Sequence, residues 1–433
     1  MPNPARICAI QILKKVDQGE SDLADLLNQG EEDLKDSRDI GLMRALVYGV
    51  LESQLTLDFL INTLSKKPVS SQKPLVRAII RLGAFELLFF KTPAHAAINE
   101  AVELAKIRAP FARSYVNGLL RSLERQGQDS LKVNTGDPLE DLSILSSHPR
   151  WILDLLLETY SMSEVREIVK RNNQPSPVNI FVGPSLSREE AKEILQAEGV
   201  REIEPSKLES HSLLTQGGPI TESQLFREGK ITIASQASAL TGVIAAEGLG
   251  KESKILDLCA APGSKTSIMS LLCGAKIFAN DKSLQKIGHL KENIQRLHLD
   301  SIALFQSDGT QKNSEWISGF DLVLLDAPCS GLGLIGRKPD IRYHRKKEDL
   351  KDLQRLQKSL LKNAQSYVRP GGRLVYSTCT YGRMENEGVL EDLGEDFKAE
   401  PLKEGPFQGK SQIHFSPLME GTDGFFLSRF RKA

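Results

Sequence analysis

The chain has 433 residues, enough for two or three domains, and 40% hydrophobic with 26% charged residues is the composition of a soluble globular protein. Its 56 Lys and Arg balance 56 Asp and Glu, so the whole molecule does not advertise a polyanionic partner. Five scattered cysteines, an odd number, argue against a disulfide framework and for a reducing compartment. Residues 82–90, the most apolar stretch, are too short to span a bilayer and contain Glu86, and no secretory pattern opens the chain; a cytoplasmic protein is expected.

Residues 1–127 read as helices throughout. Ile7, Ile10 and Leu13 recur at helical spacing, as do Leu42, Leu46 and Val50, and further helices are predicted over 74–90, 96–108 and 112–125. From Lys73 to Arg125 there are nine Lys or Arg against four Asp or Glu, while Glu31, Glu32 and Asp33 make the first helices acidic. Overall neutrality therefore hides a basic half. Residues 127–141 are polar, with Gly136 and Pro138, and read as a linker. Helices are predicted over 149–160 and 163–172, and a strand over 178–182. Ser187 with Glu190 fits a capping box for a helix that runs to Glu198 and stops at Gly199. Residues 213–226 read as loop with a short helix, and 231–234 as a strand.

From Ala237 strands and helices alternate. Strands are predicted over 255–258, 276–279, 302–305, 320–325 and 373–376, with Gly371-Gly372 turning into the last. Helices are predicted over 267–272, 284–297 and 346–368, and a closing antiparallel hairpin over 413–415 and 425–430. Such alternation gives a mainly parallel sheet with helices on both faces.

The stretch Lys254–Thr266, KILDLCAAPGSKT, is its first strand, turn and helix, with Ser264 at the expected N-cap. Small residues there let backbone N–H groups approach a ligand at the carboxyl end of the strand. Neither G-x-G-x-x-G nor G-K-[ST] spacing is present, which disfavours NAD and ATP. Two further strands run into cysteine loops, Asp326-Ala327-Pro328-Cys329-Ser330-Gly331 and Ser377-Thr378-Cys379-Thr380. A thiol on that rim can be a nucleophile. Asp281 and Asp308, just past consecutive strands, look like a clamp for a nucleoside. Residues 331–373 hold twelve Lys or Arg against four Asp or Glu and are expected to form a local nucleic-acid face.

CAAPGSK, DAPCSG-x-G and LVYSTC, in this order and spacing, resemble the motifs of RNA (cytosine-5)-methyltransferases that use S-adenosylmethionine (SAM), over roughly the last 200 residues. RLGAFEL at 81–87, AINEAVELAK at 97–106 and YVNGLLR at 115–121 resemble the NusB-type RNA-binding bundle. The pairing is similar to bacterial 16S rRNA (cytosine-5)-methyltransferases of the RsmB/Sun type. It implies a multidomain chain: an all-α NusB-like helical bundle over 1–130, a small α/β domain over 141–235, and an α/β Rossmann-like, seven-stranded methyltransferase domain over 236–433, complete in itself. The resemblance assigns SAM contacts to Cys259, Ala260, Ala261, Pro262, Gly263, Ser264, Lys265, Asp281, Asp308 and Asp326. It makes Cys379 the nucleophile toward cytosine C6, Cys329 the residue that resolves the adduct, and Asp326 the partner of the cytosine amino and N3 edge.

The implied substrate is a single-stranded or looped region of 16S rRNA, because the target base must leave its stack. A monomer without metal and without membrane attachment is expected. Two other readings stay open: the same chemistry on tRNA, and an inactive RNA-binding or assembly factor. The sequence departs from the family at Ser264, Gly336, Met384 and Ala234-Ser235, where glycine, arginine, an acid and Gln-Asp are usual.

If Asp281 holds ribose hydroxyls, Asp281→Ala weakens SAM binding by about 1.5–3 kcal/mol, the worth of hydrogen bonds to a charged group. Titration calorimetry giving an unchanged affinity removes the assignment.

Overall fold

The computed structural model describes residues 2–20, 22–127 and 131–433. The chain divides into two compact units, Met1–Leu157 with Lys338–His344, and Glu158–Arg337 with Arg345–Ala433. These limits fall elsewhere than the sequence boundaries near 130, 141 and 236. None of the helices among the described residues is long and apolar enough to cross a membrane.

The first unit is helical. Its opening helix, Pro4–Gln18, begins where the Asn3 side chain accepts from the Ala5 N–H, and ends at Gly19 in the left-handed region. Ile10, Leu46, Val50, Ile79, Ile98 and Leu120 meet in its core. The basic excess expected from Lys73 onward is partly spent inside this unit. Arg81 is buried and paired with Asp17 and Asp58, Arg77 is paired with Asp17, and buried Glu86 binds Arg6 at 2.6 Å. Asn99 and Asn117 lie exposed within helices Ala94–Arg108 and Arg113–Gln126.

The expected linker is shorter than 127–141. Asp137 accepts from the Leu139 and Glu140 N–H groups and caps a helix, Pro138–Ser146. Proline suits its first position, where an N–H would have no intrahelical partner. Residues 128–130 of that linker lie outside the described residues.

The segment Lys338–His344 comes from the C-terminal half of the sequence yet belongs to the helical unit. Arg342 is buried and points Nη1 at the carbonyls of Glu52, Ser146 and Ser147, at 3.4, 3.5 and 3.3 Å. The Tyr343 hydroxyl donates to the Leu51 carbonyl at 2.7 Å, and His344 Nε2 meets the Val16 carbonyl at 2.7 Å.

The second unit holds two sheets. The smaller, all antiparallel, has the order β2-β3-β1-β4, from β1 (Val178–Val182), β2 (Glu204–Pro205), β3 (Ser212–Thr215) and β4 (Ile231–Ile233). β3 occupies part of a stretch read as loop, because Leu213 and Leu214 are buried in the pairing with β1. The capping box predicted at Ser187 and Glu190 is present on helix Arg188–Ala197.

The larger sheet contains β5 (Lys254–Asp257), β6 (Lys276–Asp281), β7 (Ile302–Gln306), β8 (Phe320–Asp326), β9 (Val368–Thr378), β10 (Phe397–Ala399), β11 (Gln412–Phe415) and β12 (Phe425–Lys432). Its order is β10-β12-β9-β8-β5-β6-β7, with β11 paired to β12 off this path, so eight strands replace the seven expected. β5 to β9 are parallel, and β12 runs antiparallel to β9, β10 and β11. Leu322 and Leu324 of β8 enter one core layer and Val323 and Leu325 the other, as a strand covered on both faces requires.

Two local readings are corrected here. Gly371-Gly372 fall within β9, at an irregularity of its pairing with β8, and not in a turn before it. Ser264 is the first helical residue of Ser264–Cys273, while the cap is Gly263 with no side-chain bond. Gly263 has φ of 105°, and a Cβ there would lie 2.1 Å from Leu290 Cδ1, so only glycine fits.

Arg342→Ala removes a buried donor shared among three carbonyls of the helical unit and is expected to destabilise that unit by about 1–3 kcal/mol. Hydrogen exchange in the helices Gln54–Leu64 and Pro138–Ser146 reads the loss; unchanged protection in both rules it out.

Candidate active site

The carboxyl ends of the parallel strands form one rim. β5 and β8 are neighbours, yet the chain passes through β6 and β7 between them, so the order reverses there and opens a crevice. The Cys259–Lys265 loop leaves β5, Asp281 ends β6, Asp308 follows β7, Asp326 ends β8 with Cys329 three residues on, and Cys379 follows β9. The rim thus brings every sequence-predicted site residue to one edge of one sheet.

The loop after β5 is held from beneath. The Ala260 N–H donates to the Asn280 carbonyl at 2.8 Å, and Asn280 Nδ2 donates to the carbonyls of Leu258 and Ser307 at 3.1 and 3.2 Å. Asn280 was not singled out in the sequence; its only signal is a polar residue inside a buried strand. Thr266 Oγ1 donates to Asp257 Oδ2 at 2.6 Å, and burial pushes the Asp257 carboxyl up to about 7. The same burial pushes the Cys259 thiol well up.

Asp281 accepts the Ala261 N–H at 3.2 Å on Oδ2 and the Ser283 N–H at 2.9 Å on Oδ1. A carboxylate offers about four acceptor positions, so two remain, which suits a pair of ribose hydroxyls. Asp308 is more fully engaged, by Thr310 N and Oγ1 at 3.0 and 2.7 Å and by Lys282 at 2.8 Å. The Lys282 ammonium and the two Thr310 bonds draw its carboxyl down to about 2. It stays an anion and can accept an amino group. The donor set at these two strand ends fits a nucleoside with hydroxyls and an exocyclic amine.

Across the crevice Lys265 Nζ donates to Asp326 Oδ2 at 2.6 Å, and Ser377 Oγ donates to Asp326 Oδ1 at 2.7 Å. Burial alone lowers the affinity of the Lys265 amine for its proton, but Asp326 outweighs it and the net shift is upward. The ammonium also lies 5.2 Å from the centre of the Phe425 ring. Lys265, expected to touch cofactor, is thus bound first to Asp326.

The two candidate thiols come together: Cys329 Sγ and Cys379 Sγ are 3.2 Å apart. Both are free cysteines. The contact with Cys379 and then burial push the Cys329 thiol well up. Behind them, buried Glu385 accepts from Ser330 N and Gln357 Nε2, both at 2.9 Å, and from Ser330 Oγ at 2.6 Å. Its carboxyl is pushed up by burial. In the sequence Glu385 stood only as part of an acidic run. The second glycine of the Cys329 motif, Gly333, donates its N–H to the Cys379 carbonyl at 3.0 Å, and a Cβ there would sit 1.8 Å from the Gly424 carbonyl oxygen.

The basic stretch over 331–373 is only partly at the surface. Arg342 and Arg373 are buried, Arg373 pairing with Glu400 at 2.8 Å; Arg337 pairs with Asp423 at 2.8 Å and Arg369 with Asp321. Arg345 donates to the Ser330 carbonyl at 2.9 Å. Lys338, Lys346, Lys347, Lys351, Arg355, Lys362 and Arg369 remain exposed. The departure at Ala234-Ser235 is milder than it reads, because the Ser235 side chain accepts from the Ser238 N–H and caps helix Gln236–Ala246, a role aspartate fills equally well.

Residues 248–431 match the family described as 16S rRNA methyltransferase RsmB/F, and residues 3–125 match the NusB family. The probable ribosomal RNA small subunit methyltransferase B of Bacillus subtilis (strain 168) is 34% identical, over 90% of each chain. Ribosomal RNA small subunit methyltransferase B of Escherichia coli O1:K1 / APEC is 33% identical over 99% of each. Among solved structures, the crystal structure of PH0851 superposes with a TM-score of 0.82 at 25% identity, covering 100% of this chain and 99% of that one. NSun6 from Pyrococcus horikoshii, solved with SFG, shares the fold at a TM-score of 0.57 and 21% identity, over 66% of this chain and 98% of its own. With full-length relatives above 30% identity and both halves matched in order, the chain belongs to the RsmB/F family of 16S rRNA methyltransferases and is a SAM-dependent rRNA methyltransferase with a NusB-type N-terminal domain.

Proposed function

We propose that the protein methylates C5 of a cytosine in small-subunit (16S) rRNA through a covalent bond between Cys379 and cytosine C6. The observation that carries this reading is the pair of sulfurs 3.2 Å apart on the rim, beside Asp326. Cytosine C5 is too poor a nucleophile to accept a methyl group unaided. Addition of a thiolate to C6 makes the ring an enamine and splits one hard step into easier ones. SAM, when bound, supplies the electrophilic methyl group.

The chain's own groups then divide the work. Cys379 donates the electron pair to C6, and Asp326, held by the Lys265 ammonium, accepts from the amino group on the cytosine edge that carries N3 and orients the ring for attack. Cys329 sits 3.2 Å from that sulfur, and its thiol is pushed well up, first by the hydrogen bond with Cys379 and then by burial. For the release step Cys329 first gives its own proton to solvent. It can then take the C5 proton as the S–C6 bond breaks and the aromatic ring is restored.

The two thiols fail differently. Cys379→Ala is expected to give neither methylated RNA nor a covalent complex. Cys329→Ala is expected to accumulate a methylated protein–RNA species that survives denaturing electrophoresis. The roles are reversed if the trapped species forms with Cys379→Ala instead, and covalent catalysis is wrong if both variants stay active and trap nothing. Mapping the labelled nucleotide in total RNA separates 16S rRNA from tRNA as substrate.

A further inference from the structure

Between the two cysteine loops lies a buried polar group to which the reaction assigns no step. Glu385 receives Ser330 N, Ser330 Oγ and Gln357 Nε2, and Gln357 Nε2 also donates to the Pro328 carbonyl at 3.0 Å. Pro328 and Ser330 are the residues on either side of Cys329. Ser330 Oγ lies 2.6 Å from Thr380 Oγ1, and Thr380 follows Cys379. The next residue, Asn386, accepts from Thr378 Oγ1 at 2.6 Å, and its Nδ2 reaches the Thr380 carbonyl at 3.5 Å. Thr378 and Thr380 are the residues on either side of Cys379. The Tyr376 hydroxyl, on β9, donates to the Glu385 carbonyl at 2.6 Å and anchors this pair to the sheet.

We infer that Glu385, with Asn386 beside it, is a positioning residue that fixes the separation of the Cys329 and Cys379 sulfurs by holding the chain on both sides of each. The inference rests on the reading above that these two thiols carry the reaction. Glu385 touches neither sulfur among its hydrogen bonds; it acts through the loops. Burying a carboxyl costs more than burying a hydrocarbon of the same size, and an apolar side chain would fill this space. One oxygen takes both the Ser330 N–H and Gln357 Nε2, and the other takes the Ser330 hydroxyl, contacts that an apolar side chain cannot make. Sub-ångström placement of reacting groups is what such a shell provides.

The separation can be read without any chemistry on RNA. A trivalent aryl arsenical bridges two thiols only when the sulfurs approach closely. The full-length protein, without RNA or SAM, is treated with phenylarsine oxide, and the Cys329–Cys379 bridge is followed by intact mass and peptide mapping. The wild-type chain is expected to bridge. Glu385→Ala is expected to bridge slower, and to transfer methyl with a lower kcat, each on the order of 10–100-fold, while the KM for RNA and the SAM affinity hold. Glu385→Gln keeps the shape and an acceptor for the Ser330 N–H, and should restore both rates to within about threefold. If Glu385→Ala does not fold, Ser330→Ala removes only the hydroxyl link and is expected to slow bridging by a smaller factor. Bridging and kcat at wild-type levels in Glu385→Ala, or in Ser330→Ala where that is the variant that folds, overturn the inference; so does slowed bridging with kcat retained. Bridging that depends on Glu385 in a protein whose cysteines prove inert toward RNA supports the positioning role and overturns the function proposed above.

Discussion

Much of this site depends on one buried ion pair. Lys265 opens the helix after β5, Asp326 ends β8, and their 2.6 Å contact crosses the gap where the strand order reverses. A lone ammonium this deeply buried would lose its proton or pull water in after it. Paired with a carboxylate that also accepts Ser377 Oγ, it ties β5, β8 and β9 together at their functional ends. Breaking such a pair leaves an uncompensated charge, which is far more costly than the net worth of the pair itself. The arrangement sets where the loop after β5 stands relative to Cys329 and Cys379.

Around that pair the rim is built from polar cross-links over an apolar base. Beneath it the alternate residues of β8 enter two separate core layers, so the strand cannot slide without moving a row of leucines and valines. Above it Asn280, Ser377, Glu385 and Asn386 tie one strand end or loop to the next. Buried polar networks of this kind rigidify when every partner is present. They suit a reaction in which two sulfurs must keep their distance while one of them changes its bonding. The loop that leaves Cys329 continues into Lys338–His344, whose Arg342, Tyr343 and His344 bind carbonyls of the helical unit.

Reading charge along the chain misled twice, for one reason. Long basic side chains fold back onto nearby acids and carbonyls, and a count along the sequence cannot see that. Arg77 and Arg81 turn to Asp17, and Arg342 and Arg373 go inside. Local backbone chemistry was more legible: the Ser187–Glu190 capping box formed as read, because it needs only residues three apart. Pro138 was read as a breaker and is a helix starter, a choice settled by Asp137 in front of it. Ser264 was read as a cap, although only glycine tolerates the φ of its predecessor, Gly263.

The sequence by itself determined which residues stand at strand ends. Apolar runs of strand length stop where Asp281, Asp326 and the two cysteine loops begin, and that spacing is local. The short motifs on those ends were specific enough to place the chain among RNA methyltransferases. The tertiary structure alone decided which of these ends meet. Cys329 and Cys379 are 50 positions apart, Lys265 and Asp326 are 61, and Ser330 and Glu385 are 55. Their proximity follows from the strand order, and that order is set by crossovers and by packing on both faces of the sheet, which no local run of residues encodes.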